Sequence, residues 1–328
     1  MKKTLVYSLQ KMRIKMIKYL SRVHTVNCKG IAILIIIICH LSALIFPTKI
    51  ARLTTPLGGI GVAIFLFLSG YGINESYKEK KLNKYWKKRI INVIVPYLII
   101  FFIYGIINYH KLDTLKLLKL FFTIEEVNNY YYWYIGYQLI CYIIFFITVT
   151  LSQNKVQKNI LLSLFFGICF LLFNEIRAEQ SVSFMLGIIV SDNKNIKENI
   201  NNTAITITLL IIGILALGLK QIDIVRHLPN VLFKFIQLAI KLSLGIALIN
   251  ITYKINNNKL MNNINKILNT IGKYSYEIFL SHGLAILVFE SNKNNKLNLI
   301  LFFIITIIVS YLLKKMTNKI KNICLERK

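Results

Sequence analysis

Residues 29–41 read Lys-Gly-Ile-Ala-Ile-Leu-Ile-Ile-Ile-Ile-Cys-His-Leu, a basic residue followed by ten nearly uniformly apolar residues and then a histidine. At a helical rise of about 1.5 Å per residue, Lys29 and His40 lie about 16 Å apart along the helix axis. With Lys29 at a membrane surface, His40 lies near the middle of a hydrocarbon layer about 30 Å thick. An ionisable side chain at that depth is costly and usually faces a polar interior. This stretch therefore predicts a transmembrane helix that carries a functional histidine.

The rest of the chain has the same apolar character, since 55% of its 328 residues are hydrophobic. Many apolar runs approach or exceed about 18 residues, the length of a spanning helix, and they lack the alternating polarity of barrel strands. We therefore predict an all-α, polytopic transmembrane bundle of about ten spans. The predicted spans are 30–47, 57–75, 90–108, 131–151, 159–174, 181–191, 203–219, 230–253, 272–290 and 298–313.

The net charge of +28 is explained by the orientation of the chain in the membrane. Most of the basic residues fall in alternate loops, which is the positive-inside pattern of a multi-pass protein of the plasma or inner membrane, so no nucleic-acid partner is expected. An even number of spans places both termini in the cytoplasm. Residues 1–27 are expected to form a basic segment attracted to anionic membrane lipid, 28–313 the membrane domain, and 314–328 a basic cytoplasmic tail.

His282 is the second candidate for chemistry. It follows Lys273 by nine residues in the ninth predicted span, so it reaches a depth similar to that of His40. Two ionisable rings at one level favour a shared polar cavity, and Glu277 is expected on the same face as His282. His40 also has a purely structural interpretation as a side chain hydrogen-bonded to a neighbouring helix for packing. The functional interpretation of His40 is a general base, because neutral imidazole accepts a proton from a hydroxyl near neutral pH.

Two further segments have both a structural and a functional interpretation. The basic stretch that ends in Lys88 and Arg89 sets topology, but it also suits a polyanionic cosubstrate, with a helix break expected at Pro96. The aromatic run that includes Trp133 and Tyr134 is typical of an aromatic belt at the membrane interface, and it also suits a platform on which a sugar stacks.

Taken together, these segments resemble the acyltransferase 3 family of integral membrane acyltransferases. The first helix resembles that family's motif of a basic residue, ten residues and a histidine, with Lys29 where arginine is commoner. The second-helix motif is matched by Phe65-Leu-Phe-Leu-Ser-Gly-Tyr71, which includes Ser69. The remaining matches are Lys88-Arg89 with Pro96-Tyr97, the pair Trp133-Tyr134, the segment 184–187, and the segment from Gly272 to His282.

The resemblance implies a ten-helix enzyme that transfers an acyl group, most simply acetyl, from cytoplasmic acyl-CoA to a hydroxyl of a cell-surface polysaccharide or glycolipid. Acetyl-CoA is then a cosubstrate, and we expect no permanently bound cofactor and no metal site. The expected residues fall into three sets. They are His40, His282 and Ser69 for catalysis, Lys29, Lys88, Arg89 and Tyr71 for acyl-CoA, and Trp133, Tyr134 and Glu277 for the acceptor. His40 acts either as a base or as a transient acyl carrier, and His282 or Ser69 is expected to hydrogen-bond the thioester carbonyl.

Two other functions remain open on the sequence alone. A membrane translocator of a lipid-linked sugar would use midplane ionisable residues equally well, although no internal repeat is evident. An accessory subunit of a polysaccharide synthesis or export system, without chemistry of its own, is the other possibility.

Overall fold

A computed structural model of the chain describes residues 18–45, 48–107, 132–290 and 296–326, and every regular element in these ranges is helical. The main helices, in chain order, are α1 (Arg22–Ile45), α2 (Thr48–Lys80), α3 (Tyr85–Ile107), α4 (Trp133–Leu151), α5 (Lys155–Leu172), α6 (Ser181–Asp192), α7 (Thr203–Gln221), α8 (Asn230–Asn256), α9 (Asn262–Lys273), α10 (Ser275–Glu290) and α11 (Lys296–Lys321). Short helices at Glu175–Ala178, Lys194–Asn199 and Asp223–Arg226 connect some of them.

The architecture is that of a multi-pass membrane protein. Within the described ranges, eight helices are long and apolar enough to cross a membrane, and the shorter α6 and α10 occupy the sixth and ninth predicted spans. Among the eight, α2 is the most buried and α7 the least. Large apolar side chains of α5, α7 and α11 are exposed on the outside of the bundle, an arrangement that suits lipid rather than water. The all-α prediction is confirmed, while the number of crossings and the position of the termini stay predictions.

Two predicted segment boundaries fall inside continuous helices. Helix α1 already begins at Arg22, so the expected division between residues 27 and 28 lies in its second turn. Helix α11 continues past residue 313 to Lys321, so Lys314 belongs to the bundle rather than to a separate tail. Residues 1–17, most of the expected interfacial segment, lie outside the described ranges.

Helix α3 passes through Pro96 without the expected break. Residues Ile90–Ile94 form a π turn, and the helix resumes as Val95–Ile107. Proline lacks the backbone N–H that an α-helix would need at that position, and a wider turn is one way to accommodate the missing bond. The basic start of α3 therefore stays continuous with its apolar part.

Helix α9 is an additional element that was not predicted, and its last two residues overlap the start of the predicted ninth span. It is amphipathic, it ends at Lys273, and it packs against the start of α1. Both helices have glycine at the contact, because a Cβ on Gly30 would lie 2.4 Å from the carbonyl oxygen of Leu268 and one on Gly272 would lie 1.9 Å from that of Val26. Helix α9 thus positions α10, which begins two residues after Lys273.

Glycines also hold α2 against α6. A Cβ on Gly70 would lie 2.0 Å from the carbonyl oxygen of Phe184, and a Cβ on Gly187 would lie 2.1 Å from that of Phe67. Backbone therefore meets backbone at this crossing, as small residues allow in membrane bundles. The contact fixes the most buried helix of the bundle, the helix that lines both cavities described below.

The glycine contact predicts a contrast between two positions on α2. We expect Gly70→Ala to destabilise the protein by about 1–3 kcal/mol, since its methyl group meets a backbone oxygen that cannot rotate away. The matched control is Gly72→Ala, where a Cβ has no neighbour within 4 Å and the same gain in helix propensity applies. Thermal unfolding in detergent measures both, and equal melting temperatures for the two variants would contradict the assignment.

Candidate active site

The two predicted histidines meet across the bundle. His40 on α1 and His282 on α10 are joined by a hydrogen bond of 2.9 Å between His40 Nδ1 and His282 Nε2, and their rings are within 2° of parallel. His282 is fully buried, whereas His40 is half-buried and lines a cavity. The structure therefore brings together two of the three side chains expected to be catalytic.

The partners of His282 determine which nitrogen of His40 accepts a proton. His282 Nδ1 lies 3.2 Å from the carbonyl oxygen of Ile278, and a carbonyl only accepts, so Nδ1 carries the hydrogen. In neutral His282, Nε2 then accepts, and His40 Nδ1 must donate to it. His40 Nε2 is left as the nitrogen with the lone pair, which is the arrangement that a general base requires.

The cavity beside His40 is called the histidine cavity here and has a volume of about 310 Å³. Its walls combine aromatic and small residues from α1, α2, α4 and α10, with the carboxylate of Glu179 on one side. Its lining includes His40, Gly58, Gly59, Trp133, Tyr134, Glu179 and Phe279. The predicted acceptor residues Trp133 and Tyr134 thus lie in the same cavity as His40.

A second cavity, the lysine cavity, has a volume of about 270 Å³. Basic and amide side chains line it, together with one buried carboxylate; the set includes Lys29, Asn92, Glu277, Lys314, Asn318 and Lys321. Lys314 Nζ is 3.0 Å from Glu277 Oε1. Lys29, which was expected to contact acyl-CoA, lines this cavity. Glu277, which was expected to contact the acceptor, lies with the lysines and does not line the histidine cavity.

Ser69 also lines the lysine cavity, within a small hydrogen-bonded group. Its hydroxyl is 2.9 Å from the hydroxyl of Tyr142, and Gln138 Nε2 donates to Tyr142 at 2.6 Å and to Ser69 at 3.2 Å. Ser69 therefore lines the lysine cavity together with Gln138 and Tyr142, and it does not line the histidine cavity.

The two cavities meet at a pair of aromatic rings. Tyr134 and Phe279 line both cavities, and their ring centroids are 5.2 Å apart in an edge-to-face arrangement. Phe279 also packs against His282, with 5.5 Å between the ring centroids. The histidine pair therefore lies directly beside the point where the cavities meet.

The other residues expected to contact acyl-CoA lie outside the walls of the lysine cavity. Arg89 packs beside it, with its guanidinium 4.5 Å from the ring centroid of Tyr85 and 5.6 Å from that of Tyr142. The partly exposed Lys88 contributes its carbonyl oxygen, which accepts from Asn92 Nδ2 at 2.6 Å. Tyr71 instead contacts Lys197, which bonds its hydroxyl and lies over its ring.

Several polar residues of the cavities were not singled out from the sequence. Gln138, Tyr142 and Lys314 belong to the lysine cavity, while Glu179 lines the histidine cavity and is paired with Lys241 at 3.2 Å. Burial raises the pKa of Glu179 above that of an ordinary carboxylic acid, and Lys241 is the main group that opposes the rise. Gln138 and Lys241 could have been found from the sequence, because each is a polar side chain inside an apolar run.

Comparison with known proteins bears on this arrangement. A family model described as an acyltransferase domain, that of the acyltransferase 3 family, matches residues 27–315. Comparison with curated proteins finds no match, and comparison with solved structures finds none either. The family match includes both histidines, the whole lining of the histidine cavity and most of the lining of the lysine cavity, and it covers nearly the whole chain. The chain therefore belongs to the acyltransferase 3 family.

Proposed function

We propose that this membrane acyltransferase transfers an acyl group, most simply acetyl, from acyl-CoA to a hydroxyl of a cell-surface polysaccharide or glycolipid. The observation that carries the proposal is the placement of the hydrogen-bonded histidines beside the junction of two chemically different cavities. One cavity is basic and the other is aromatic. Transfer between an anionic donor and a sugar needs that combination at one reacting centre.

The lysine cavity is the proposed donor site. Lys29, Lys314 and Lys321 supply positive charge for the phosphates of acyl-CoA, with Asn92 and Asn318 as amide partners. The group formed by Ser69, Gln138 and Tyr142 suits the amides of the pantetheine arm, which both donate and accept hydrogen bonds. Arg89, beside Tyr142, adds positive charge near this wall.

The histidine cavity is the proposed acceptor site. Trp133 and Tyr134 offer aromatic surface for a sugar ring. Gly58 and Gly59 line the same cavity and have no side chains that would occupy it. A side chain at Gly58 would meet Cys39, because its Cβ would lie 2.8 Å from the Cys39 sulfur. A ring stacked in this space brings a hydroxyl toward His40.

In the proposed reaction His40 Nε2 takes the proton from the acceptor hydroxyl. The hydroxyl oxygen then attacks the thioester carbonyl carbon, the new C–O bond forms and the C–S bond breaks. The proton held by His40 passes to the departing CoA sulfur, so the ring returns to its starting state. An acyl-imidazole intermediate would require the same nitrogen of His40, and the direct route needs no additional step.

His282 has a positioning role in this scheme. Its Nε2 accepts from His40 Nδ1, which holds the His40 ring in one tautomer and stabilises the positive charge that the ring gains. This differs from the sequence-based expectation that His282 or Ser69 bonds the thioester carbonyl, because both ring nitrogens of His282 already have hydrogen-bond partners.

The proposal also assigns an orientation and a location. The lysine cavity faces the cytoplasm, where acyl-CoA is found, and the histidine cavity faces the outside of a plasma or inner membrane, where the glycan is assembled. The basic inner loops are consistent with this orientation. A polysaccharide assembly system would be the natural partner, since it delivers the acceptor to the outer face.

Replacement of His40 should abolish acyl transfer. We expect His40→Ala to lower the rate at which radiolabel from acetyl-CoA enters membrane glycan by about 10²–10⁴-fold, the usual effect of losing a general base. Proteoliposomes or membranes that contain the protein provide the assay.

The exposed His227 supplies the control for that experiment, since His227→Ala makes the same change outside both cavities. His227→Ala should transfer label like the wild type. Persistent transfer by His40→Ala would remove the catalytic assignment. Absence of transfer by the wild type, with export of unmodified glycan that depends on the protein, would identify a translocator instead.

Removal of the positive charge at Lys29 should weaken donor binding. We expect Lys29→Met to raise the KM for acetyl-CoA by about tenfold, corresponding to about 1.4 kcal/mol for a lost phosphate contact. Lys29→Arg keeps the charge and should stay near the wild-type value. Initial rates at varied acetyl-CoA and fixed glycan measure both.

The exposed Lys315 is the matched control, because Lys315→Met removes the same charge next to Lys314 but outside the lysine cavity. An equal rise in KM for Lys315→Met and Lys29→Met would point to general attraction of acetyl-CoA to a basic surface. An unchanged KM in Lys29→Met would refute the donor site.

A further inference from the structure

The histidine cavity contains a buried carboxylate that the acyl transfer described above does not use. Glu179 directly follows the short helix Glu175–Ala178, and its side chain is buried while it lines the cavity together with His40 and Trp133. A buried carboxylate is expensive unless it is paired and hydrogen-bonded. Its position in this wall therefore calls for a physical reason.

Lys241 on α8 is the ion-pair partner of this carboxylate. Its ammonium lies 3.2 Å from Glu179 Oε2, and it also donates to Gln237 Oε1 at 3.0 Å. The backbone is adapted to the pair, because a Cβ on Gly59 would lie 2.2 Å from Lys241 Cε and 2.9 Å from Glu179 Oε1. The glycine thus leaves the space that the two charged side chains occupy.

The second oxygen of Glu179 has spare capacity to accept hydrogen bonds. Oε1 has Gln180 Nε2 at 3.5 Å, the outer limit for a hydrogen bond, whereas an ionised carboxylate oxygen accommodates about two donors. Gln180 Nε2 has a better partner in the carbonyl oxygen of Gly59, at 3.0 Å. A donor in the cavity would therefore complete the carboxylate.

A stabilising role does not account for the pair. A buried ion pair is often no more stable than apolar residues of similar volume, because the cost of desolvating two charges offsets their attraction. An acceptor sugar, in contrast, carries several hydroxyl groups, and the reaction must select one of them. A charged hydrogen-bond acceptor in the same cavity as the proposed base makes that selection possible.

We propose that Glu179 is an acceptor-positioning residue, whose carboxylate accepts a hydrogen bond from a sugar hydroxyl adjacent to the one that His40 deprotonates. The inference rests on the proposed function and names its substrate class, a ring with neighbouring hydroxyl groups. Lys241 contacts the carboxylate and not the sugar, so it acts only through Glu179.

The test measures acceptor and donor dependence separately. The probe is the glycan fraction that takes up label with the wild-type protein, titrated at saturating acetyl-CoA. We expect Glu179→Gln to raise the glycan concentration for half-maximal transfer by at least about tenfold, as for a lost hydrogen bond to a charged group, with the KM for acetyl-CoA unchanged. Glu175→Gln, the same change four residues earlier and outside the cavity lining, should leave both values unchanged.

A second variant distinguishes loss of the hydrogen bond to the sugar from misfolding of the protein. Glu179→Gln leaves Lys241 buried without its carboxylate, whereas the double variant Glu179→Leu with Lys241→Met removes both charges and preserves apolar volume. It should melt near the wild-type temperature and show the same rise in half-saturating glycan.

The outcomes separate this inference from the function on which it rests. An unchanged glycan dependence in Glu179→Gln, or an equal rise in the KM for acetyl-CoA, overturns the positioning role while the transfer by the wild type stands. Absence of transfer by the wild type overturns the proposed function and the inference together.

Discussion

The hydrogen bond between His40 and His282 is the constraint on which the site depends. Each imidazole lies in an apolar bundle, where a polar group without a partner is costly, so the two rings hold α1 and α10 at one fixed separation. Lys29 lies on the first of these helices and Glu277 on the second. The bond that orients the proposed base therefore also sets the distance between two walls of the lysine cavity.

The junction of the cavities accounts for how one centre would serve the two substrates of the proposed reaction. Tyr134 and Phe279 place aromatic rings between the cavities, an environment that phosphates and sugar hydroxyls do not favour, so in the proposed scheme each substrate remains on its own side. In that scheme the thin thioester arm is the part of acyl-CoA that passes between the rings. Phe279 also packs on His282, so the constriction and the histidine pair share one packed unit.

The sequence was sufficient to predict the position of a residue along one helix. It was not sufficient to predict which neighbour or cavity a side chain faces, because that depends on the rotation of the helix about its axis. The Lys29–His40 spacing lies within α1, and the depth of His282 follows from its own span. Glu277 and His282, five residues apart, point about 140° apart around a helix, which explains why Glu277 lines the lysine cavity while His282 contacts His40. Ser69 and Tyr71, two residues apart, point about 160° apart in the same way. Pairings such as Glu179 with Lys241 depend on how distant helices pack, which no local pattern contains.

Ion pairs with a buried carboxylate occur at three places in the described bundle, and two of these carboxylates line a cavity. Asp192 lies away from the cavities, with Oδ2 2.6 Å from Lys158 Nζ and Oδ1 accepting from Asn74 at 2.7 Å, although Oδ2 makes no hydrogen bond. Glu277 Oε2 likewise has no hydrogen-bond partner among the described residues, and Glu179 Oε1 has a weak one. Both of these carboxylates line a cavity. Glu179 and Glu277 differ from Asp192 in their access to a cavity, where a substrate of the proposed reaction supplies the missing donor, and that access is the physical argument for including the two carboxylates in the proposed site.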